Sequence, residues 1–418
     1  MRIGVIADDF TGGTDIASLL VKGGLKTVQL SGVPQEHISI DADAIVVSLK
    51  SRSCDIDEAV QQSIGALRFL QQAGCVQFYF KYCSTFDSTA HGNIGPVTDA
   101  LMQALTTSFT VVCPSLPING RCVFNGNLYV NGVLLSESGM RHHPVTPMRD
   151  SNLVRLMNAQ AKGETALLNY EIVEQGPEKI TEALQAARQD HYKYAVVDAF
   201  KDFHLANIAA SLGQLPLVTG GSGLAYHIAC SLSSRASCQP NPSTQVPKAA
   251  PTVILSGSCS EMTNLQVHQY QEHAPSFQIE VERCLGDEQY AEVIADWVLK
   301  QKSQFAPLVY ATSDSQKLKE IQRSYNAESA GSAIEALFAK LTRLLSAQGI
   351  TNFIVAGGET SGIVTQQLQL QALKVGKEIA PGVPWVFSLD GHFALALKSG
   401  NFGSPHFFKN AQEMFHDE

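Results

Sequence analysis

The chain has 418 residues, 44% of them hydrophobic and 17% charged, with a net charge of −9 and no basic block. That composition excludes a disordered chain, and an acidic balance without a basic patch argues against nucleic-acid binding. No apolar run is long enough to cross a bilayer, so no membrane role is expected.

The opening, MRIGVIADDFTGGTDIA, reads as a strand over 2–6 that runs into Asp8 and Asp9. A Phe-Thr-Gly-Gly turn follows, and Thr14 or Asp15 is placed to cap the apolar helix DIASLLVKGG. Two adjacent acids at a strand tip repel, and such frustration marks functional sites. Three roles stay open for them: binding substrate hydroxyls, acting as general base, or touching Mg²⁺. Two acids also stand where a signal peptide needs its apolar stretch, so no export signal is expected.

KTVQL and AIVVSL are strands, and the second ends in Ser48-Leu49-Lys50-Ser51-Arg52-Ser53. Lys50 and Arg52 amid hydroxyls suit a carboxylate or phosphate, or else a solvated loop. The helix IDEAVQQSIGALRFLQQAG leads to the strand QFYFKY. That strand carries Lys81 into the polar loop Cys83-Ser84-Thr85-Phe86-Asp87-Ser88-Thr89-Ala90-His91-Gly92-Asn93. Asn93 reads as the cap of the next helix, whose free N–H groups would attract an anion.

After the strand FTVVCPS, three Asn-Gly pairs crowd into 119–136, which predicts a β-hairpin excursion. It could reach over the active cleft or serve a homodimer contact. Alternation then resumes with a helix near 151–160, the strand TALLNYEIV, the helix PEKITEALQAARQD and the strand YAVVDAF. PLVTGG closes this series, with Thr219-Gly220-Gly221-Ser222-Gly223 before the helix GLAYHIACSL. Residues 233–251, rich in Ser and Pro, read as a linker. The expected division is a domain over 1–232 and another over 252–418, both of them three-layer α/β folds with mostly parallel sheets and a cleft between them.

The second series starts at TVILSGS, with Ser256-Gly257-Ser258-Cys259-Ser260 before a helix. FQIEVE, PLVYATS and FIVAGG are strands, and the last enters Gly357-Gly358-Glu359-Thr360-Ser361-Gly362. ALKVGKEI and FALALKSG read as β ribbons, the latter entering Lys398-Ser399-Gly400-Asn401-Phe402-Gly403. Glycines let a polyphosphate approach the backbone, Thr360 can donate and Glu359 can hold Mg²⁺. Three such loops, each at a strand end, form a nucleotide pocket, although no Walker A loop is present.

Nine cysteines with scattered spacing and no C-x-x-C argue against zinc or a disulfide framework and suit the reduced thiols of a cytoplasmic protein. Cys83 and Cys259 read as small packing residues, His142-His143 as loop surface and Trp297 as core.

In order along the chain, IADDFTGGTDIA, SLKSRS, KYCSTFDSTAHGNIGPV, VTGGSGL, LSGSCS, AGGETS and LKSGNFG resemble the four-carbon acid sugar kinase family, with the greatest likeness to its 3-oxo-tetronate kinases. The resemblance implies a sugar-acid-binding N-terminal domain, a nucleotide-binding C-terminal domain and ATP-dependent phosphorylation of a terminal 4-hydroxyl. It places ATP on Ser258, Gly357, Gly358, Glu359, Thr360 and Gly403. It places the sugar acid among Asp8, Asp9, Lys50, Arg52, Lys81, Asp87, Ser88, Thr89, Gly92 and Asn93. From the residues themselves, one of Asp8, Asp9 or Asp87 is expected to orient or deprotonate the 4-hydroxyl. Relatives acting on threonate or erythronate read DSTLRGN where this chain has Ala90-His91, which favours the 3-oxo branch. The alternatives are a D-threonate, L-threonate or D-erythronate kinase, or a sugar-acid sensor that binds nucleotide without turnover.

Overall fold

The computed structural model describes residues 2–34, 40–86, 89–142, 146–213, 215–235, 245–312 and 327–416. The chain forms two compact units, 1–242 and 243–418.

In the first unit the strands are β1 (Ile3–Ala7), β2 (Thr27–Ser31), β3 (Ala44–Ser48), β4 (Gln77–Lys81), β5 (Thr110–Cys113), β6 (Arg121–Phe124), β7 (Asn127–Val130), β8 (Val133–Leu134), β9 (Thr165–Leu168), β10 (Tyr194–Val197) and β11 (Leu217–Gly220). Eight of them run β2-β3-β1-β4-β11-β5-β10-β9, every pairing parallel. The apolar runs IGVIA and AIVVS belong here because β1 and β3 are buried on both faces. The helix Phe10–Lys22 carries the chain from β1 toward β2, whereas Ile56–Gln72 carries it from β3 toward β4, the opposite direction along the sheet. Right-handed crossovers therefore put these helices on opposite faces. The crevice where connections diverge, at the C-terminal ends of β1, β3 and β4, is where open α/β sheets bind ligands.

The second unit holds β12 (Thr252–Ser256), β13 (Ser276–Gln278), β14 (Leu308–Tyr310), β15 (Asn352–Ala356), β16 (Ala372–Ala380), β17 (Val383–Ser388) and β18 (Ala394–Lys398). Their order is β13-β14-β12-β15-β18-β17-β16, parallel as far as β18 and antiparallel beyond it. β12 leads toward β13 and β15 leads toward β16, so the connections diverge again between β12 and β15. Trp385, Phe407, Phe408 and Tyr270 fill the core under one face of this sheet.

Several elements differ from the sequence reading. The first helix starts at Phe10 rather than near Asp15, because Asp9 caps it. The stretch 165–173 is not one strand: Asn169 caps a short helix, Tyr170–Val173, just after β9. FQIEVE is divided between β13 and the helix Val281–Gly286. β17 went unread because VPWVFS carries a proline and a continuous apolar run, and its pairing partners supply the missing order. The helix Gly223–Arg235 extends past 232, and residues 236–244 of the expected linker lie outside the described residues. Trp297 is half-buried, packed against Phe277, and the fully buried tryptophan is Trp385.

The Asn-Gly excursion is the three-stranded antiparallel sheet β6-β7-β8. Asn125-Gly126 and Asn131-Gly132 make its two turns with positive φ at both residues, as type I′ requires. Asn119-Gly120 instead ends a short 3₁₀ turn. Asp198, just after β10, accepts the N–H groups of Asn125 (2.6 Å), Gly126 (2.9 Å) and Tyr170 (2.9 Å). This one buried carboxylate anchors the hairpin turn and the 170–173 helix to the sheet.

Replacing Asp198 by Ala should leave those three amides unpartnered. We expect a stability loss of about 1–3 kcal/mol in denaturant unfolding, with faster hydrogen exchange at Asn125, Gly126 and Tyr170. Unchanged exchange at these amides would refute the anchor.

Candidate active site

The first cluster is built by backbone register. β1 lies between β3 and β4, and Ala7 pairs with both Ser48 and Lys81. Asp8 N–H donates to the Lys81 carbonyl at 3.0 Å, and the Ser51 and Arg52 amides donate to the Asp8 carbonyl at 2.9 and 3.2 Å. The loop after β3 thus folds across the tip of β1 and delivers a guanidinium to the acids. Arg52 Nε donates to Asp8 Oδ2 at 2.9 Å and Nη2 to Asp8 Oδ1 at 2.8 Å, and Nη2 also reaches Asp9 Oδ1 at 2.7 Å. A two-pronged guanidinium grip of this kind is the strongest arrangement available to an ion pair.

Asp9 is also the N-cap, accepting the Gly12 amide at 2.9 Å and the Thr11 hydroxyl at 2.9 Å. A side chain on Gly12 would put its Cβ 2.3 Å from Asp9 Oδ1 and 3.1 Å from Lys81 Nζ, and one on Gly13 would lie 2.0 Å from Ser48 Oγ. These glycines sit inside the first helical turn, and close approach is what demands them.

The two acids are driven apart electrostatically. Burial, reinforced by the neighbouring Asp9 charge, raises the Asp8 carboxyl above the ordinary value despite Arg52 and Lys81. Burial also works against the Asp9 charge, but Arg52, Lys81, Thr11 and Gly12 outweigh it and hold Asp9 low. Asp8 is 7% exposed at its side chain and Asp9 24%, so Asp9 is the acid a ligand can touch. Lys81 is buried at 2% exposure and gives Nζ to the Tyr82 carbonyl at 2.9 Å. Among the described residues no ion pair within contact distance engages Lys81, and its charge acts on Asp8 and Asp9 from further off.

The remaining sugar-acid candidates scatter around this group. Lys50 is exposed, and no ion pair or hydrogen bond holds it among the described residues. Asn93 does not cap its helix with its side chain, which donates instead to the Ser51 carbonyl at 2.6 Å and braces the Arg52 loop. The expected anion at that helix start also meets competition, because Gln160 Oε1 already accepts the Gly95 amide at 3.0 Å. Half-buried Gly92 gives its amide to the carbonyl of half-buried Thr89 at 2.8 Å. Phe86, fully buried with φ of 52°, holds the strained turn before them. Asp87 and Ser88 lie outside the described residues.

Sequence reading passed over the polar layer beneath. Gln29 of β2 donates to the Phe10 carbonyl and to Ser48 Oγ, each at 3.0 Å, and takes the Thr14 hydroxyl at 3.0 Å. The signal was present in TVQLS, a polar residue inside an otherwise apolar strand.

In the second unit the strand-end loops converge on Ser258. The Gly257 and Ser258 amides donate to the Ala356 carbonyl at 2.9 and 3.2 Å. A Cβ on Gly257 would fall 2.2 Å from Thr360 Oγ1, and one on Gly400 would fall 2.5 Å from Ser258 Oγ. Gly357 has φ of 124°, a conformation for glycine alone, and no side chain caps the helix Gly358–Gln367 that it begins. Its first-turn N–H groups, with Gly358 and Glu359 exposed, suit a phosphate. Ser260, by contrast, caps its own helix, Glu261–Gln271, by accepting the Thr263 amide at 3.2 Å. Gly403 has φ of 84° and abuts the Phe407 ring. The Thr219–Gly223 turn reads differently: Cβ atoms on Gly220 and Gly221 would fall 2.2 and 2.5 Å from the Cys113 and Pro114 carbonyls, so these glycines serve packing.

Lys398 opens the Lys398–Gly403 motif, and the local sequence assigns it no role. It is fully buried, and its Nζ donates to Thr263 Oγ1 (2.9 Å), the Gly400 carbonyl (2.9 Å) and the Ser399 carbonyl (3.1 Å). Burial pushes its ammonium down to about 7. Among the described residues no set of three or more His, Cys, Asp or Glu is placed to hold a metal ion. The eight described cysteines are free thiols, and no described helix is long and apolar enough to cross a membrane.

Comparison with known proteins matches residues 3–228 to a sugar-binding N-terminal domain family and residues 253–408 to a nucleotide-binding C-terminal domain family. A curated 3-oxo-tetronate kinase of Brucella melitensis is 51% identical over 100% of this chain and 97% of its own length. One of Haemophilus influenzae is 52% identical over 99% of this chain and 100% of its own. The chain belongs to the four-carbon acid sugar kinase family. Among solved structures, a Salmonella typhimurium LT2 protein, named as a candidate tRNA synthase, matches with a TM-score of 0.91 at 52% identity, covering 99% of this chain and 100% of that one. A curated Salmonella typhimurium relative, also 52% identical, bears the name 3-oxo-tetronate kinase. For a kinase of this family the acid–cation group lies in the sugar-binding domain and the glycine loops in the nucleotide-binding one.

Arg52→Met should strand the buried Asp8 and the half-buried Asp9. We expect a loss of about 3–5 kcal/mol at pH 7, with partial recovery in the Asp8→Asn/Arg52→Met double variant. Because the Asp9 carboxyl is held low when folded, its stabilisation is present above the unfolded value near 3.8 and lost as pH falls through the folded value. Asp8, held high, has the opposite sign, and folding favours its protonated form between 3.8 and its folded value. Denaturant unfolding of both variants against pH checks the pair, and equal stability of Arg52→Met and the parent at pH 7 would overturn it.

Proposed function

We propose that this chain transfers the γ-phosphoryl group of ATP to the 4-hydroxyl of 3-oxo-tetronate (3-dehydroerythronate), giving 3-oxo-tetronate 4-phosphate. One observation carries the reading. Lys81, a buried cation that makes no ion pair among the described residues, stands close enough to the acid pair in the sugar-binding unit to act on both charges. A tetronate is a carboxylate at one end and hydroxyls along its length, which is what a cation next to carboxylates recognises. The relatives named above carry this activity in their name.

Lys81 takes the carboxylate, with Lys50 at the exposed rim. Arg52 acts mainly on the acids, because both its prongs are committed to them. Asp9, the accessible acid, orients the 4-hydroxyl and draws its proton, with Asp8 or Asp87 the other candidates. Ser88, Thr89, Gly92 and Asn93 shape the hydroxyl-binding side. Phosphoryl transfer asks chiefly for positioning and charge neutralisation, so an oriented hydroxyl goes far toward reaction.

On the nucleotide unit the uncapped turn of Gly357, Gly358, Glu359 and Thr360 receives phosphates, flanked by Ser258 and Gly403. A phosphate-borne Mg²⁺ fits a hard oxygen donor, and the exposed Glu359 carboxylate would hold it directly or through water. Bound there, the ion would neutralise charge on the transferred phosphoryl group. A homodimer through 119–136 is supported by the exposed Val133 within it and the exposed Ile118 just before it, and sedimentation of the full chain checks it. A cytoplasmic location suits free thiols.

An assay of ADP release over 3-oxo-tetronate, D-threonate, L-threonate and D-erythronate should give the highest kcat/KM with the 3-oxo acid. ADP from none of them would leave a sensor in place of a kinase. Asp9→Asn should lower kcat by about 10²–10⁴, and normal turnover would remove Asp9 from the role. Chelation by EDTA should abolish ADP release and added Mg²⁺ restore it, whereas full activity in EDTA would exclude the ion.

A further inference from the structure

Among the described residues of the second unit, Lys398 is the one buried cation, and no counter-charge accompanies it there. Among the described residues no carboxylate pairs with it, and its three hydrogen bonds all go to neutral oxygens. A buried ammonium without a partner is costly, so its retention calls for a use.

Its contacts show what it joins. The ammonium holds the Ser399 and Gly400 carbonyls, which begin the loop after β18. It also holds Thr263 Oγ1, whose hydroxyl donates to the same Gly400 carbonyl at 2.8 Å, so helix Glu261–Gln271 is drawn in through its first turn. The Lys398 carbonyl accepts the Gly357 amide at 2.9 Å, which fixes the start of the third loop. Further along, buried Gln266 donates to the Phe402 and Ser404 carbonyls at 3.1 and 2.8 Å and pins the rest of the β18 loop. Through its ammonium and its carbonyl, one residue therefore links the loop after β18 to the helix that follows the β12 loop and to the start of the β15 loop.

We propose that Lys398 is a positioning residue for the nucleotide: its ammonium ties the loop after β18 to the first turn of helix Glu261–Gln271 and its carbonyl holds the Gly357 amide, which keeps the glycine loops around Ser258 in register for phosphates. This rests on the kinase reading above. Lys398 need not touch the nucleotide. Removing its charge leaves three oxygens without their donor and frees Gly400 to move from Ser258.

The test is equilibrium binding of a non-hydrolysable ATP analogue to the full chain, alongside separate KM values for ATP and for the sugar acid. The variants are Lys398→Met and Thr263→Val, each checked for folding by thermal melting. We expect Lys398→Met to weaken nucleotide binding by about tenfold or more, with the sugar-acid KM within about twofold of the parent. Thr263→Val removes one link only and should raise the nucleotide Kd by about threefold or more, again leaving the sugar-acid KM alone; it decides the question by itself if Lys398→Met does not fold. Parental nucleotide affinity in the folded variants, or an equal rise in both KM values, overturns the positioning role and leaves the kinase reading standing. Failure of the parent chain to bind the analogue overturns both.

Discussion

The grip of Arg52 on Asp8 and Asp9 is the interaction on which the rest of the sugar-binding site depends. Two carboxylates at the end of one strand would repel, and buried as they are they would lose their charge. A guanidinium shared between them removes that conflict, and it arrives because the loop after β3 hydrogen-bonds to the backbone of Asp8 itself. The strand tip, the loop and the first helix are thereby one unit. Asp9 completes it by capping the helix with the same carboxylate that faces outward. The pair is not symmetric. Asp8 is the buried anchor, held high, and Asp9 is the exposed member, held low, so one acid supports the structure while the other is free to meet a hydroxyl.

Close approach explains the glycines better than turn geometry does. Gly12 and Gly13 lie inside a helix, where glycine costs about 1 kcal/mol relative to alanine. They are there because Asp9, Lys81 and Ser48 stand where a methyl group would be. The same holds for Gly257 and Gly400 around Ser258 and Thr360. Gly357 and Gly403 add a backbone requirement, and the helix that follows Gly357 has no side-chain cap. A capped helix has spent its first amides, and an uncapped one can offer them to a phosphate. The contrast with the Ser260-capped helix beside it separates a structural helix start from one suited to a ligand.

The two units treat charge in different ways. The sugar-binding unit gathers opposite charges at the tip of β1, where Arg52 pairs with both acids and buried Lys81 stands close by. Among its described residues the nucleotide-binding unit keeps one buried ammonium, with neutral oxygens for company. In each, the charged side chain ends a strand that lies next to the place where the connections diverge. That position collects loops from several strands, so one side chain can organise several of them.

The sequence by itself determined the α/β class, the strand-then-glycine rhythm and the family, because hydrophobic periodicity and short motifs are local properties that survive without coordinates. It also marked Asp8, Asp9, Arg52 and Lys81 as residues of interest, but not what each one touches. Partner choice was decided only by tertiary structure. Arg52 looked like an anion ligand and turned out to be occupied by the acids 43 and 44 positions earlier in the chain. Asn93 looked like a cap and braces a distant loop, and the cap of the first helix proved to be Asp9 rather than Thr14 or Asp15. Lys398 stood inside a quoted motif without a role, because its significance is that it is buried and lies against Thr263, 135 residues away. Burial and long-range contact set the charge state and the free bonding capacity of a side chain. Both depend on which strands lie side by side, and no local pattern of residues carries that order.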